Sequence, residues 1–112
     1  MNLEFMRKGS VMVVKIDGEL DLSTSPAFRK KIETELDEVE TVKSLILNLE
    51  KTTFIDSSGL GAILGRYKRL SQRGGKLCAV NVPPYVYKIF ELSGLLKIMS
   101  IYPTLEDAFA DF

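Results

Sequence analysis

The first part of the chain changes from alternating to continuous hydrophobicity, which predicts a β-hairpin. Leu3 and Phe5 alternate with polar neighbours, and residues 11–16 are rich in β-branched side chains, as strands are. Lys8-Gly9-Ser10 lies between the two segments and has the composition of a tight turn. The second strand is expected to end at Gly18-Glu19-Leu20-Asp21.

Four later segments carry hydrophobic residues at helical spacing. Recurrence at every third or fourth position is the pattern of an amphipathic helix with one buried side. Ser23-Thr24-Ser25-Pro26 is suited to begin the first helix, and Gly74-Gly75 and Gly94 to end the second and third. The residues that define the four buried sides are Phe28, Ile32, Leu36 and Val39; Leu60, Ile63, Leu64, Tyr67 and Leu70; Val86, Ile89 and Phe90; and Leu105, Ala108, Phe109 and Phe112.

Short apolar segments between these helices are expected to be strands. Leu45-Ile46-Leu47-Asn48-Leu49 is nearly continuous in hydrophobicity, as a strand covered on both faces is. Residues 76–80 and 98–101 are similar, whereas 50–55 is interpreted as a loop. The order ββαβαβαβα predicts an α/β fold in one domain, 1–112. Its mixed, mostly parallel sheet has about five strands, with 45–49 central and helices packed around it.

Composition and charge exclude several classes of function. Fifteen Lys plus Arg balance 15 Asp plus Glu, which argues against nucleic acid as the main partner. The absence of His excludes His-dependent nucleophiles and His-ligated metals, and the single Cys78 excludes an internal disulfide. The chain shows no signal peptide and no apolar run long enough to span a membrane. We therefore expect a cytoplasmic protein with no enzymatic activity, no metal and no cofactor.

Asp56-Ser57-Ser58-Gly59-Leu60-Gly61 is the segment most informative about function. The simplest interpretation is a helix N-cap, for which Asp and Ser are common. Two features favour a functional role. A serine at a helix N-terminus lies where the free N–H groups would stabilise an added phosphate. In addition, Gly59, Gly61, Ala62 and Gly65 are small residues expected to leave one helix face bare, either for the sheet or for a partner.

Other interpretations of these loops are less well supported. A dinucleotide fingerprint would need a third glycine where Leu64 stands and an acidic residue where Asn81 stands. Glu19, Asp21 and Asp56 form a possible acidic pocket of the phospho-aspartate receiver type with Mg²⁺, which the N-terminal hairpin and the paired serines disfavour. Loop carboxylates exposed to solvent are the simpler interpretation.

Four segments together resemble the anti-sigma-factor antagonists of the STAS family, and within it the sporulation antagonists of the anti-sigma-F factor. The segments are Gly18-Glu-Leu-Asp21; Leu47-Asn-Leu-Glu50; Phe54-Ile-Asp-Ser-Ser-Gly-Leu-Gly-Ala-Ile-Leu-Gly-Arg-Tyr-Lys68 with Gly74-Gly75; and Phe90-Glu-Leu-Ser-Gly-Leu-Leu-Lys-Ile98. They occur in the family's order and spacing, and the resemblance as a whole extends over nearly the entire chain and is tightest from Leu47 to Ile98.

The resemblance implies a regulatory switch. Such antagonists bind an anti-sigma factor that is also a serine kinase of the GHKL ATPase type, and this binding releases the sigma factor. The kinase phosphorylates the serine after the motif Asp, here Ser57, and a PP2C-type phosphatase reverses the reaction. The partner-binding residues carried over are Asp21, Ser23, Thr24, Asp56, Ser57, Ser58, Gly59 and Leu60.

One departure and one alternative accompany the resemblance. Many relatives have a bulkier pair, often with His, where this chain has Leu22-Ser23, so the contacts of that loop are left open. The resemblance implies a monomer when free, with neither nucleic acid nor membrane as partner. The alternative is a stand-alone STAS module that binds a nucleotide or another small ligand.

Overall fold

The computed structural model describes all residues, 1–112, as six strands and four helices. The strands are β1 (Asn2–Lys8), β2 (Val11–Leu20), β3 (Ser44–Asn48), β4 (Thr52–Ile55), β5 (Leu77–Val80) and β6 (Ser100–Tyr102). The helices are α1 (Ser25–Glu38), α2 (Ser57–Gln72), α3 (Pro84–Ser93) and α4 (Leu105–Ala110), and a single 3-10 turn spans Leu95–Lys97. None of the helices is long and apolar enough to cross a membrane.

The strands form one mixed sheet in the order β1-β2-β3-β5-β6, with β4 also paired to β2. β1 and β2 are antiparallel and form the predicted hairpin, and every other pair is parallel. β3 lies between β2 and β5, where its hydrophobic residues are buried. The α/β class, the mostly parallel sheet and the central position of the third strand are thereby confirmed.

Two sequence predictions about strands were wrong. The segment 50–55, interpreted as a loop, contains β4, because the second half of β2 bends away from β3 and offers Gly18–Leu20 for parallel pairing. The bend falls at Gly18, whose φ of 112° favours glycine. The last strand begins at Ser100 rather than at residue 98, because the Met99 N–H donates to the Leu95 carbonyl in the preceding turn.

Helices cover the two faces of the sheet unequally. The larger core lies under α1, α2 and α3 and holds 21 buried hydrophobic residues, including Phe28, Ile32, Ile63 and Phe90. The smaller core lies under α4 and has six buried residues, among them Cys78. Burial raises the pKa of the Cys78 thiol, which fits its predicted role as a small packing residue.

The buried side of α2 differs from the predicted one most clearly at Leu64 and Arg66. Leu64 is 49% exposed, whereas Arg66 is buried with only 11% of its side chain accessible. The Arg66 guanidinium forms an ion pair with Glu33 of the neighbouring helix α1, and its Nε donates to the Ala62 carbonyl at 3.2 Å. Arg69 pairs with both Glu33 and Asp37. This network joins α1 and α2 side by side.

Replacing Glu33 with Ala is expected to lower the free energy of unfolding by about 2 kcal/mol, because it leaves the buried Arg66 charge without its partner. Asp37→Ala is the matched control. Asp37 pairs with Arg69 at a side chain that is 68% exposed, so its loss is expected to change stability by less than about 0.5 kcal/mol. Urea unfolding curves measure both values, and equal effects of the two substitutions would contradict the expectation.

Candidate functional site

The α2 N-terminus is held by Asp56, as its sequence predicts. Asp56 is the N-cap with an extended backbone, and its Oδ1 accepts a hydrogen bond from the Gly59 N–H at 3.0 Å. Its carbonyl oxygen accepts from the Leu60 N–H at 3.0 Å. Its Oδ2 reaches across to the loop after β2 and accepts from the Leu22 N–H, also at 3.0 Å. One carboxylate therefore caps a helix and joins two loops that are 34 residues apart.

Ser57 and Ser58 occupy the first two positions of α2 but differ in accessibility. Ser57 is exposed, whereas Ser58 is half-buried. Adjacent helical residues point about 100° apart, so the two hydroxyls face different directions. Asp56 satisfies the N–H groups of Gly59 and Leu60, which leaves those of Ser57 and Ser58 without a partner in the chain. The more accessible hydroxyl thus lies at the positive end of a 16-residue helix.

The loop between β2 and α1 is ordered by a second carboxylate. Asp21 Oδ1 accepts hydrogen bonds from the Ser23 hydroxyl at 2.9 Å and from the backbone N–H groups of Ser23 and Thr24 at 3.0 and 3.1 Å. These bonds, that of the Ser23 hydroxyl first, hold the pKa of the Asp21 carboxyl below its ordinary value. The Thr24 hydroxyl donates to the Glu19 carbonyl at 2.8 Å. Asp21 is therefore ionised at neutral pH in a structured turn.

The small residues of α2 lie on two faces rather than on one. Gly59 is buried against β2, and a Cβ atom placed there would lie 2.3 Å from the Leu20 carbonyl oxygen. Gly61 and Gly65 would carry a Cβ with no neighbour within 4 Å. The prediction of a single bare face was wrong. Gly61 and Gly65 are four residues apart and therefore share the outward face of the helix, whereas Gly59 faces the sheet. The absence of a side chain at Gly59 lets the start of α2 pack closely against β2, and this packing positions Ser57.

The structure brings the predicted partner-binding residues to one edge of the sheet. The Asp56–Leu22 hydrogen bond joins the loop of Asp21, Ser23 and Thr24 to the turn that carries Ser57. The acidic pocket considered for Mg²⁺ does not form, since no three His, Cys, Asp or Glu side chains are placed to hold a metal.

Sequence reasoning missed three exposed apolar residues at this edge. Leu22 is 75% exposed, and Phe54 and Tyr85 are 41% and 45% exposed. The rings of Phe54 and Tyr85 are stacked, with centroids 6.4 Å apart. Leu22 and Phe54 could have been noticed in the sequence, because each is a hydrophobic residue outside the predicted helices and strands.

Comparison with known proteins agrees with this architecture. The STAS domain family matches residues 2–108. The anti-sigma F factor antagonist of Paenibacillus polymyxa is 38% identical over 102 residues, which cover 91% of this chain and 86% of the relative.

Two solved structures are similar over almost the whole chain. The anti-sigma factor antagonist SpoIIAA in its unphosphorylated form is 29% identical with a TM-score of 0.76, covering 98% of this chain and 96% of that one. The Bacillus cell fate determinant SpoIIAA in the phosphorylated form is 32% identical with a TM-score of 0.75, covering 98% of both chains. From its match over nearly every residue and its shared fold, this chain belongs to the STAS domain family.

Proposed function

We propose that the protein is an anti-sigma factor antagonist controlled by phosphorylation of Ser57. The unphosphorylated chain binds an anti-sigma factor that is also a serine kinase, and the sigma factor is released. The observation that carries the proposal is the exposed Ser57 hydroxyl, which directly follows the capping Asp56 at the α2 N-terminus. Relatives named as anti-sigma factor antagonists, one of them solved in a phosphorylated form, support it.

The local electrostatics fit a switch that changes binding more than folding. A phosphoserine carries about −1.5 to −2 charges at neutral pH. At Ser57 this charge is stabilised by the two free N–H groups and the positive end of the α2 dipole, so the fold tolerates it. In the complex, however, the phosphate would add bulk and negative charge to the contact, beside the Asp56 carboxylate. We therefore expect the modified chain to dissociate, and a PP2C-type phosphatase to restore binding.

A regulatory role requires no catalytic group in this chain, because the kinase supplies ATP chemistry and the antagonist supplies only the acceptor hydroxyl. A small-ligand function would instead use the cleft of about 490 Å³ beyond β5 and β6. Its lining is Asn81, Val82, Pro84, Tyr87, Ile101, Tyr102 and Pro103. This lining contains no Lys or Arg that could bind a phosphate group, so the cleft is poorly suited to a nucleotide. The Ser57 site therefore supports a protein-binding function better than this cleft supports nucleotide binding.

Incubation with Mg-ATP and a GHKL-type anti-sigma kinase is expected to add one phosphate, located on Ser57. Intact mass and peptide mapping measure the number and the position. Ser58→Ala is the control. It should remain a substrate, because the Ser58 hydroxyl that it removes points away from the Ser57 hydroxyl. Phosphate on Ser58, or undiminished phosphorylation of Ser57→Ala, would show the assignment to be wrong.

A further inference from the structure

Two exposed apolar features are linked to the proposed phosphorylation site. The Leu22 backbone is hydrogen-bonded to Asp56, the residue before Ser57, and Phe54 of the Phe54–Tyr85 stack lies three residues before Ser57. A single exposed hydrophobic residue on a protein surface is ordinary. Here, however, Leu22 and Phe54 belong to segments joined directly to the Asp56–Ser57 turn, and Tyr85 is stacked on Phe54.

The backbone that presents Leu22 is held in place although the side chain is open to solvent. Its N–H donates to Asp56, and the residues on either side of it are bonded through the Asp21 carboxylate. The Phe54 ring likewise packs against that of Tyr85, at an interplanar angle of 21°. A partner therefore loses little conformational entropy when it binds these groups, which is the condition for an efficient anchor.

The charges around these residues select the class of partner. Glu19 lies opposite Phe54 in the β2–β4 register, and Asp21 and Asp56 flank Leu22. None of these three carboxylates forms an ion pair within the chain, since the ion pairs use Glu33, Asp37 and Glu91. Such a surface repels an anionic membrane or nucleic acid, and it complements a protein with apolar pockets and positive side chains.

We propose that Leu22 and the Phe54–Tyr85 stack are two apolar anchors that the anti-sigma kinase binds next to Ser57. The inference rests on the proposed function and extends it to Leu22 and Tyr85, which lie outside the segments that carry the family resemblance, and to the exposed ring of Phe54. The anchors act on affinity and leave the phosphoryl transfer step unchanged.

Two matched pairs of substitutions test the anchors. Leu22→Ser is compared with Leu92→Ser, because the two side chains are 75% and 76% exposed and Leu92 lies at the far end of α3. Tyr85→Ser is compared with Tyr87→Ser, at 45% and 41% exposure on the same helix. The purified anti-sigma kinase is titrated with each variant, and phosphorylation of each is measured at saturating Mg-ATP.

Leu22→Ser and Tyr85→Ser are each expected to raise both Kd and KM about tenfold, with kcat within about twofold of the parent. Leu92→Ser and Tyr87→Ser should leave all three constants within about twofold. Leu22→Met should recover most of the affinity, because it keeps an apolar side chain of similar volume. Circular dichroism melts of every variant should match the parent, because all of these residues are exposed.

The outcomes separate the two proposals. If the parent chain binds and is phosphorylated on Ser57, but Leu22→Ser behaves as Leu92→Ser does, the anchors are wrong and the proposed function stands. If Leu22→Ser lowers kcat with no change in KM, Leu22 acts in the transfer step and the inference is equally wrong. If the parent chain does not bind the kinase at all, the proposed function and the inference fall together.

Discussion

Replacing Ser57 with Asp is expected to weaken binding of the anti-sigma factor about 100-fold while leaving the fold intact. The new carboxylate would stand beside Asp56 on a surface that already carries Glu19 and Asp21 without cationic partners. Burying an additional carboxylate in a contact without a partner placed for it costs several kcal/mol, and each 1.4 kcal/mol is about a factor of ten. Because Asp is favourable in the first turn of a helix, we expect Tm to change by less than about 2 °C.

Isothermal titration with the anti-sigma kinase measures this loss, and Ser57→Ala is its control. The alanine variant removes the acceptor hydroxyl without adding charge, so it should bind about as well as the parent chain and take up no phosphate. A cell that carries it would then keep the sigma factor released. Equal affinities of Ser57→Asp and Ser57→Ala would contradict a charge-based switch at this position.

Replacing Gly59 with Ala is expected to lower the free energy of unfolding by about 3 kcal/mol. The added Cβ would lie 2.3 Å from the Leu20 carbonyl oxygen and 3.0 Å from side-chain atoms of Leu20 and Ile55. That carbonyl oxygen also accepts from the Asp56 N–H at 3.3 Å, so α2 would have to move away from β2. The movement would displace the Asp56 cap, and phosphorylation should fall together with stability.

Gly65→Ala is the matched control for the Gly59 substitution. Both residues are helical, but nothing lies within 4 Å of a Cβ at Gly65, so the change should stabilise the protein by about 0.5 to 1 kcal/mol through helix propensity. Urea unfolding with unchanged m-values reads out both effects. A Gly59→Ala chain as stable as the parent would mean that the helix does not rest on the strand as described.

Hydrophobic periodicity was sufficient to predict the α/β class and the central strand, because those elements follow from local sequence. It missed β4, whose four residues are ordered by pairing with Gly18–Leu20, more than 30 positions earlier in the chain. It also placed Leu64 inside and left Arg66 outside, because the burial of Arg66 depends on Glu33 of another helix. Interactions between distant segments leave no periodic signal in either segment.

The candidate site also has one part that the sequence predicts and one part that it does not. The motif around Asp56 and Ser57 could be recognised from the sequence because a helix cap is a local structure. The hydrogen bond from Leu22 to Asp56 was not, because only the fold brings residues 34 positions apart into contact. The Phe54–Tyr85 stack likewise joins the end of β4 to the start of α3, two elements that no sequence pattern places side by side.

The way Asp21 and Asp56 hold their loop has a consequence for how this protein diverges. The turn from Asp21 to Thr24 is held by two carboxylates, by the Ser23 and Thr24 hydroxyls and by backbone N–H groups, which every residue except proline possesses. The side chain at Leu22 contributes nothing to that framework, so it is free to change while the turn keeps its shape. Substitution at this single exposed position is therefore expected to alter what the loop can contact without loss of the fold.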